Sequence, residues 1–133
     1  MREILFRGKS EKYGWLEGWY CPTTFGRFPP EDAIVPKKDA EEGYWHPEKV
    51  ISETVGQYTG LTDKNGKKIF EGDIVEGANF TVDDDGYGVV SFDDGAFEVS
   101  GNNITGTFHE NYWGAEFEII GNIHDNPELL KGE

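Results

Sequence analysis

Hydrophobic and polar residues alternate most regularly in the segment "YGVVSFDDGAFEVS", a pattern typical of a half-buried antiparallel ribbon. The Asp94-Gly95 pair between its two halves predicts a two-residue turn. Counting outward from this turn gives three cross-strand pairs: Val90–Val99, Ser91–Glu98 and Phe92–Phe97. Because the apolar pairs share one face and the polar pair takes the other, we predict a β-hairpin with one face in a hydrophobic core.

A second hairpin is predicted in "GQYTGLTDKNGKKIFEGDIVEG", residues 56–77. Asp63 suits the first position of a type I turn, and Gly66 suits the left-handed position of the bulge that follows it. This turn places Asp63 opposite Lys67 and Leu61 opposite Ile69. A two-residue Asn-Gly turn would instead oppose two lysines, so we prefer the bulged turn. The Glu-Gly-Asp that follows breaks the strand, and "IVEG" begins the next one.

The N-terminal part predicts a further hairpin, with strands over residues 3–7 and 15–20. Residues 21–49 carry most of the prolines, so we expect little regular structure there beyond a short extended piece, "AIVP". This segment also contains several aromatic residues, which favour a loop that packs down over a free linker: Phe25, Phe28, Tyr44 and Trp45.

The C-terminal part predicts two more strands, one over residues 104–108 and one that points Phe117, Ile119 and Ile123 to the same side. A turn or single helical turn begins at Pro127. We therefore predict a mainly β protein: a small antiparallel SH3-like barrel over residues 56–133, with an N-terminal β-hairpin and a long Pro-rich packed loop over residues 1–55. One continuous domain over residues 1–130 is the alternative division.

Composition supports this fold class and limits the function. The 18 glycines and 6 prolines among 133 residues disfavour long helices. Lys and Arg number 12 and Asp and Glu 26, a net charge of −14 that repels phosphate backbones, so we expect no direct nucleic-acid binding. The N-terminus lacks the pattern of a signal peptide and no apolar run approaches membrane-spanning length, which predicts a cytoplasmic protein without membrane contact.

Candidate catalytic and metal-binding residues are few. The aspartates at 83–85 and 93–94 are contiguous and followed by glycine, which suits turns better than calcium loops. No two of the three histidines have the spacing of a shared metal site. Cys21, the single cysteine, is either a partly buried structural thiol or a nucleophile. We expect a protein that is not an enzyme and has no cofactor; a hydrolase using carboxylates and a metal is the enzymatic alternative.

Aromatic residues cluster on the predicted second strand. Trp15 and Trp19 are four residues apart and would share one face, where we expect them to cover the core while Tyr20 faces outward. The alternative is an exposed aromatic patch that binds a protein partner.

Three segments together resemble the YopX family of phage and prophage proteins: "REILFRGK", "VGQYTGLTDKNGKKIFEGDIVE" and "EIIGNIHDNPELL". The resemblance implies a phage or prophage origin, and it brings neither an established activity nor catalytic residues. Most positions of the middle segment are ones that the predicted hairpin requires. Gln57, Tyr58 and Thr59 are not required by that geometry, so we expect any shared binding role there, with Tyr20 as a further candidate interaction residue.

The leading interpretation is a phage accessory protein that binds another protein. The partner is a host or phage protein or a second copy of the chain, and a homo-oligomer is expected because a small barrel leaves sheet edges open to pairing. The alternative is an acidic DNA mimic that occupies a host nucleic-acid enzyme, and it depends on the charge of −14. Net acidity more often serves solubility, so we prefer the first interpretation.

Overall fold

The computed structural model describes residues 4–24, 26, 29–77, 86–93, 96–102, 104–107 and 117–130. The chain divides into two compact units, Met1–Tyr58 and Thr59–Glu133, and each is described by itself below. Both consist mainly of antiparallel strands, so the prediction of a mainly β protein is confirmed. None of the described helices is long and apolar enough to cross a membrane.

The first unit contains one antiparallel sheet. Its strands are β1 (Phe6–Ser10), β2 (Gly14–Tyr20), β3 (Ala33–Pro36), β4 (Glu48–Lys49) and β5 (Gly56–Thr62), the last of which continues into the second unit. Their order across the sheet is β4-β3-β2-β1-β5. A short helix, α1 (Lys37–Glu41), follows β3 directly, and a 3-10 turn at Ser52–Thr54 precedes β5.

The predicted N-terminal hairpin is confirmed, with its first strand placed later along the chain. The hydroxyl of Ser10 accepts hydrogen bonds from the amides of Lys12 and Tyr13, each at 3.1 Å. Ser10 pairs with Gly14, which adopts a φ of +77°. Because these side-chain bonds fix the turn immediately after Ser10, β1 extends to that residue instead of ending at Arg7.

The Pro-rich segment has more regular structure than predicted. Its "AIVP" piece is β3, as expected, but α1 and β4 were not predicted. Pro36 precedes the helix, and Gly43 follows it with a φ of +95°. The amides of Gly43 and Tyr44 donate to the carbonyls of Ala40 and Asp39, at 3.0 and 2.8 Å. This is a Schellman motif, so a proline before and a glycine after the polar run were the sequence signals of the helix.

The aromatic residues of this segment do not pack down as predicted. Tyr44 and Trp45 are 60% and 63% exposed, and Phe25 and Phe28 lie outside the described residues. The segment is instead held by β3, all four residues of which are buried. Strand β3 lies between β2 and β4, so its apolar side chains are buried, whereas the aromatic rings that follow the short helix α1 remain exposed.

The second unit contains six further strands. They are β6 (Lys68–Phe70), β7 (Asp73–Gly77), β8 (Gly86–Asp93), β9 (Ala96–Asn102), β10 (Ile104–Thr107) and β11 (Glu118–Asn122). Strand β6 pairs with β5, and the other five form a sheet in the order β10-β9-β8-β7-β11. The core of this unit consists of Ile69, Val75, Val90, Phe97, Val99 and Phe117, against which Leu61 and Ile119 pack.

The register predicted for the hairpin of β8 and β9 is confirmed. The cross-strand pairs are Val90–Val99, Ser91–Glu98 and Phe92–Phe97, as predicted, and Asp93 pairs with Ala96. Both valines and Phe97 are buried, whereas Phe92 is 50% exposed and packs edge-on against Phe97 at a centroid distance of 4.9 Å. The predicted turn residues, Asp94 and Gly95, lie outside the described residues.

The predicted C-terminal elements are confirmed. Strand β10 begins at Ile104, and a 3-10 turn spans Pro127–Leu130. Phe117 is fully buried and Ile119 packs against the same core, but the pairing of β11 with β7 shifts between Ile119 and Gly121. A shift in register breaks the alternation of side chains between the two faces. The prediction that Phe117, Ile119 and Ile123 point to the same side therefore holds for Phe117 and Ile119 and does not extend to Ile123.

The bulged turn predicted at residues 63–66 is confirmed. The amide of Gly66 donates to the carbonyl of Asp63 at 3.0 Å, and Gly66 adopts a φ of +84°. The amide of Asp63 donates to the carbonyl of Lys67 at 2.7 Å, which is the predicted cross-strand pair. Extending this antiparallel pairing by two residues places Leu61 opposite Ile69, and both lie at the core.

The carboxylate of Asp63 is buried, at 4% exposure, and connects this turn to β11. Its Oδ1 accepts the amides of Asn65 and Lys67 at 2.8 and 2.9 Å, and its Oδ2 accepts the amide of Ile119 at 3.1 Å. Burial alone would raise the pKa of Asp63, but these three amides and the charge of Lys67 together lower it. The turn position of Asp63 was predicted from the sequence, but its hydrogen bond to β11 was not.

A second buried carboxylate shapes the turn between β6 and β7. Asp73 is 2% exposed, and its Oδ2 accepts the amide of Phe70 at 2.8 Å. Gly72 lies in this turn with a φ of +90°. Its amide donates to the carbonyl of Val90 at 2.8 Å, and its carbonyl accepts the amide of Ile123 at 2.9 Å. The break predicted at Glu-Gly-Asp is thus a tight turn hydrogen-bonded to two other segments.

The barrel itself is not confirmed. The described strands form two antiparallel sheets that do not close on themselves, and the SH3-like arrangement over residues 56–133 stays a prediction.

We expect the D63N substitution to lower the free energy of unfolding by about 2 kcal/mol at pH 7. The amide Nδ2 of asparagine cannot accept the Ile119 amide, so a buried donor loses its partner. Because the folded-state pKa of Asp63 is lowered, its stabilisation is complete above the unfolded pKa of about 4 and is lost as the pH falls through the folded value. Urea titrations between neutral and acidic pH should show the difference between the two proteins shrinking below about pH 4.

The exposed Glu11 provides the control, because E11Q removes one negative charge without removing a buried hydrogen bond. E11Q should stay within about 0.5 kcal/mol of the wild type. A D63N protein as stable as the wild type at pH 7, or a difference that does not change with pH, would contradict this assignment.

Candidate functional site

We call "VGQYTGLTDKNGKKIFEGDIVE" the signature segment, and its three candidate residues lie on β5. Gln57 is half-buried and pairs with Phe6 of β1. Tyr58 is 7% exposed, and its amide donates to the carbonyl of Leu5 at 2.8 Å. Thr59, in the second unit, is 5% exposed; its hydroxyl donates to the carbonyl of Ile69 at 2.9 Å and accepts the amide of Leu61 at 3.1 Å. Of the three, only Gln57 retains substantial side-chain accessibility.

Tyr20, the fourth candidate, lies at the end of β2 and is 40% exposed. Its hydroxyl donates a hydrogen bond to the Asp32 carboxylate. This bond, followed by partial burial and the negative charge of Asp32, raises the pKa of Tyr20. Its ring also lies 5.6 Å from that of Phe6 between centroids. Tyr20 and Gln57 therefore flank Phe6, and they are the candidates that the first unit brings together.

Two exposed tryptophan rings meet on the other face of β2. Trp19 is 38% exposed, and its ring lies 5.6 Å from that of Trp45 between centroids, at an interplanar angle of 33°. The prediction that Trp19 covers the core was wrong. We call Trp19, Tyr44 and Trp45 the aromatic surface. The Schellman turn after α1 places Tyr44 and Trp45 there, since the left-handed Gly43 reverses the chain.

Trp15 lies on the same face of β2 as Trp19, because residues of equal parity share a face. It is half-buried. The Arg7 guanidinium lies 4.7 Å from the centroid of its ring, and the Lys9 ammonium lies 6.0 Å away. Both cations come from β1, where Lys9 is directly opposite Trp15. Cations at these distances are attracted to the face of the aromatic ring. Arg7 and Lys9 also give this part of the sheet face positive charge.

A groove of about 720 Å³ adjoins this face within the first unit. One side comes from the β1–β2 hairpin, through Tyr13, Trp15, Leu16 and Glu17. The other side comes from the end of β3 and from α1, with Glu48 of β4. Four uncharged and six charged side chains line this groove, which makes it more polar than a typical small-molecule pocket.

Four carboxylates line the groove: Glu17, Asp39, Glu41 and Glu48. Within the described part of the chain, no set of three or more His, Cys, Asp or Glu side chains is placed to hold a metal ion. Cys21 is partly buried, which agrees with its interpretation as a structural thiol.

Residues 30–131 match the sequence model of the YopX protein family. The chain belongs to the YopX family. The match covers the end of the Pro-rich segment, α1, the signature segment and the whole of the sheet in the second unit. It begins after β2, so Trp15, Trp19 and Tyr20 lie outside the matched residues, whereas Tyr44 and Trp45 lie within them.

A solved structure supports this fold over nearly the full chain. This chain is similar to protein EF1440 from Enterococcus faecalis, with 25% sequence identity and a TM-score of 0.58. The similarity covers 98% of this chain and 100% of the other. No protein of the curated set matches.

Sequence reasoning identified the tryptophans but missed the neighbours that make them a surface. Trp45 lies 26 residues after Trp19, and only the unpredicted helix and its glycine cap bring the two rings together. The groove was missed for the same reason, since one of its sides is α1.

We expect the D32N variant to lower the pKa of Tyr20 towards its ordinary value. The change removes the charge and weakens the acceptor that together hold the phenol in its protonated form. Titration of the tyrosine Cζ resonances by NMR measures this, with Y20F identifying the signal. An unchanged titration of Tyr20 in D32N would show that its hydroxyl does not donate to Asp32.

Proposed function

We propose that this member of the YopX family is a non-enzymatic protein-binding module that engages its partner through the aromatic surface. The observation that carries the proposal is the pair of exposed rings of Trp19 and Trp45, whose centroids lie 5.6 Å apart, with the exposed Tyr44 next to Trp45 in the chain. Large aromatic rings left in water are costly, and tryptophan and tyrosine dominate the energetics of protein interfaces.

The family membership supports the wider context of the proposal. We propose a phage or prophage accessory protein that acts in the cytoplasm on a host or phage protein. Self-association is the second form of the same function, because β10 and β11 are the edges of the five-stranded sheet. Strand β11 returns to pair with β7 after the β7-β8-β9-β10 meander, an order that supports an SH3-like arrangement of this unit.

An acidic DNA mimic is the second candidate function. It is supported by the concentration of negative charge in the second unit. The first unit has 8 Lys and Arg against 10 Asp and Glu, a net charge of −2. The second unit has 4 against 16, a net charge of −12. A nucleic-acid enzyme attracted to this charge would bind the second unit, with strong dependence on salt.

Replacing the paired tryptophans tests the leading proposal. Immobilised wild type should retain a protein from bacterial host lysate, or sediment at a mass above the 15.0 kDa of the monomer. The W19S/W45S variant should reduce that retention about tenfold or more, because it removes interface aromatics, and should leave self-association through β10 or β11 unchanged.

The F92S variant is the matched control, since Phe92 is also half-exposed but belongs to the second unit. F92S should behave as the wild type, and circular dichroism should show all three proteins folded. Equal behaviour of the three proteins would contradict the proposal. A retained nucleic-acid enzyme that is insensitive to W19S/W45S and released by salt would support the DNA mimic instead.

A further inference from the structure

The turn between β5 and β6 contains the single Asn-Gly pair of this chain, Asn65-Gly66. Both residues are exposed. A Cβ placed on Gly66 would have no atom within 4 Å apart from its chain neighbours, so the peptide nitrogen is unhindered on that side. The Asn65 side chain makes no hydrogen bond to the part of the chain that the structure describes. An accessible side-chain amide next to an unhindered backbone nitrogen is the arrangement from which asparagine deamidates.

Deamidation would join the Gly66 nitrogen to the Asn65 side chain. The nitrogen attacks Cγ, the bond from Cγ to Nδ2 breaks, and ammonia leaves with the proton of the Gly66 amide. Water then opens the resulting five-membered succinimide. Opening at Cγ leaves aspartate, and opening at the main-chain carbonyl leaves isoaspartate, in which the backbone runs through the former side chain. Either product carries an additional negative charge.

The closed turn prevents this attack. The third residue of a type I turn has a ψ of about 0°, so the Gly66 nitrogen eclipses the Asn65 amide nitrogen. Ring closure requires the Gly66 nitrogen to eclipse the Asn65 Cβ instead, which needs rotation about the Cα–C bond of Asn65. The Gly66 amide also donates to the carbonyl of Asp63 at 3.0 Å, and this hydrogen bond holds the proton that must leave. Attack on the side chain therefore requires the turn to open.

The carboxylate of Asp63 opposes that opening. Its Oδ1 accepts the amides of Asn65 and Lys67 at 2.8 and 2.9 Å, the two amides on either side of Gly66. Its Oδ2 is held by the amide of Ile119 at 3.1 Å, so the carboxylate cannot follow the turn as it opens without losing a third bond. Hydrogen bonds to a buried charged acceptor are costly to break, and the open turn is correspondingly rare.

We propose that Asn65 is a modification site, which deamidates through a succinimide when this turn opens, and that Asp63 controls the rate by holding the turn closed. The inference is independent of the proposed protein-binding function. The isoaspartate product adds one carbon to the backbone between Asp63 and Lys67, so the bulged turn cannot close with its present hydrogen bonds. Deamidation therefore weakens the connection between this turn and β11 as the protein ages.

Peptide mapping by mass spectrometry tests the proposal. The wild type is incubated at neutral pH in buffer and in guanidinium chloride that unfolds it. The peptide containing Asn65 should gain about 1 Da in both samples, and at least about tenfold more slowly in buffer. This slowing should equal or exceed the protection factor of the Gly66 amide in hydrogen exchange, because attack requires the same hydrogen bond to break.

Two controls identify the reaction. Asn122 precedes Ile123, whose β-branched side chain hinders the backbone nitrogen, so Asn122 should stay unmodified in both samples. The N65Q variant should not gain mass at residue 65, because glutamine would have to close a less favourable six-membered ring. No conversion of Asn65 in guanidinium chloride would overturn the modification site. Equal rates in the two wild-type samples would overturn protection by the turn.

The D63N variant tests the role assigned to Asp63. In buffer its Asn65 should deamidate about tenfold faster than that of the wild type, and in guanidinium chloride the two rates should be equal. E11Q, which changes an exposed carboxylate away from the turn, should keep the wild-type rate in both. A folded D63N with the wild-type rate in buffer would overturn control by Asp63. If D63N does not fold, a wild-type rate faster than the Gly66 exchange limit allows would overturn it instead.

Discussion

The buried carboxylate of Asp63 is the constraint on which the second unit depends. One side chain accepts three backbone amides, two from its own turn and one from Ile119, which is 56 residues away in the chain. The adjacent Lys64 amide donates to the carbonyl of Phe117 at 2.8 Å and brings the start of β11 to the same turn. Hydrogen bonds from amides to a carboxylate are among the stronger ones in proteins. Leaving one of these amide donors unpaired lowers the free energy of unfolding.

The same device recurs at Asp73, so the signature segment is chiefly structural. Its asparagine-glycine turn, its Glu-Gly-Asp turn and both buried aspartates are committed to hydrogen bonds within the second unit. Side chains occupied in this way are poor candidates for binding a partner. The exposed rings of Trp19 and Trp45 lie in the first unit, and β2 lies outside the residues that match the family model.

Local chemistry made much of this fold predictable. Two hairpin registers followed from alternation and turn residues, because a slip by one position would turn each apolar side chain to water. The helix α1 was missed because its five residues, of which only Ala40 is apolar, show no apolar period, although Pro36 and Gly43 bracket it. The bond from Asp63 to Ile119 joins residues far apart in sequence, which no local pattern encodes. Trp19 was assigned to the core on hydrophobicity and parity, and neither reveals which face of a sheet is left uncovered.

Amide hydrogen exchange at Ile119 tests the central constraint most directly. In the wild type the amides of Asn65, Lys67 and Ile119 should all be protected at neutral pH, since each donates to Asp63. In D63N the Ile119 amide should exchange about tenfold faster or more, because its acceptor has become a donor. The Tyr58 amide, which donates to Leu5 in the first unit, should keep its rate. An Ile119 amide that exchanges at the same rate in both proteins would contradict the role assigned to Asp63.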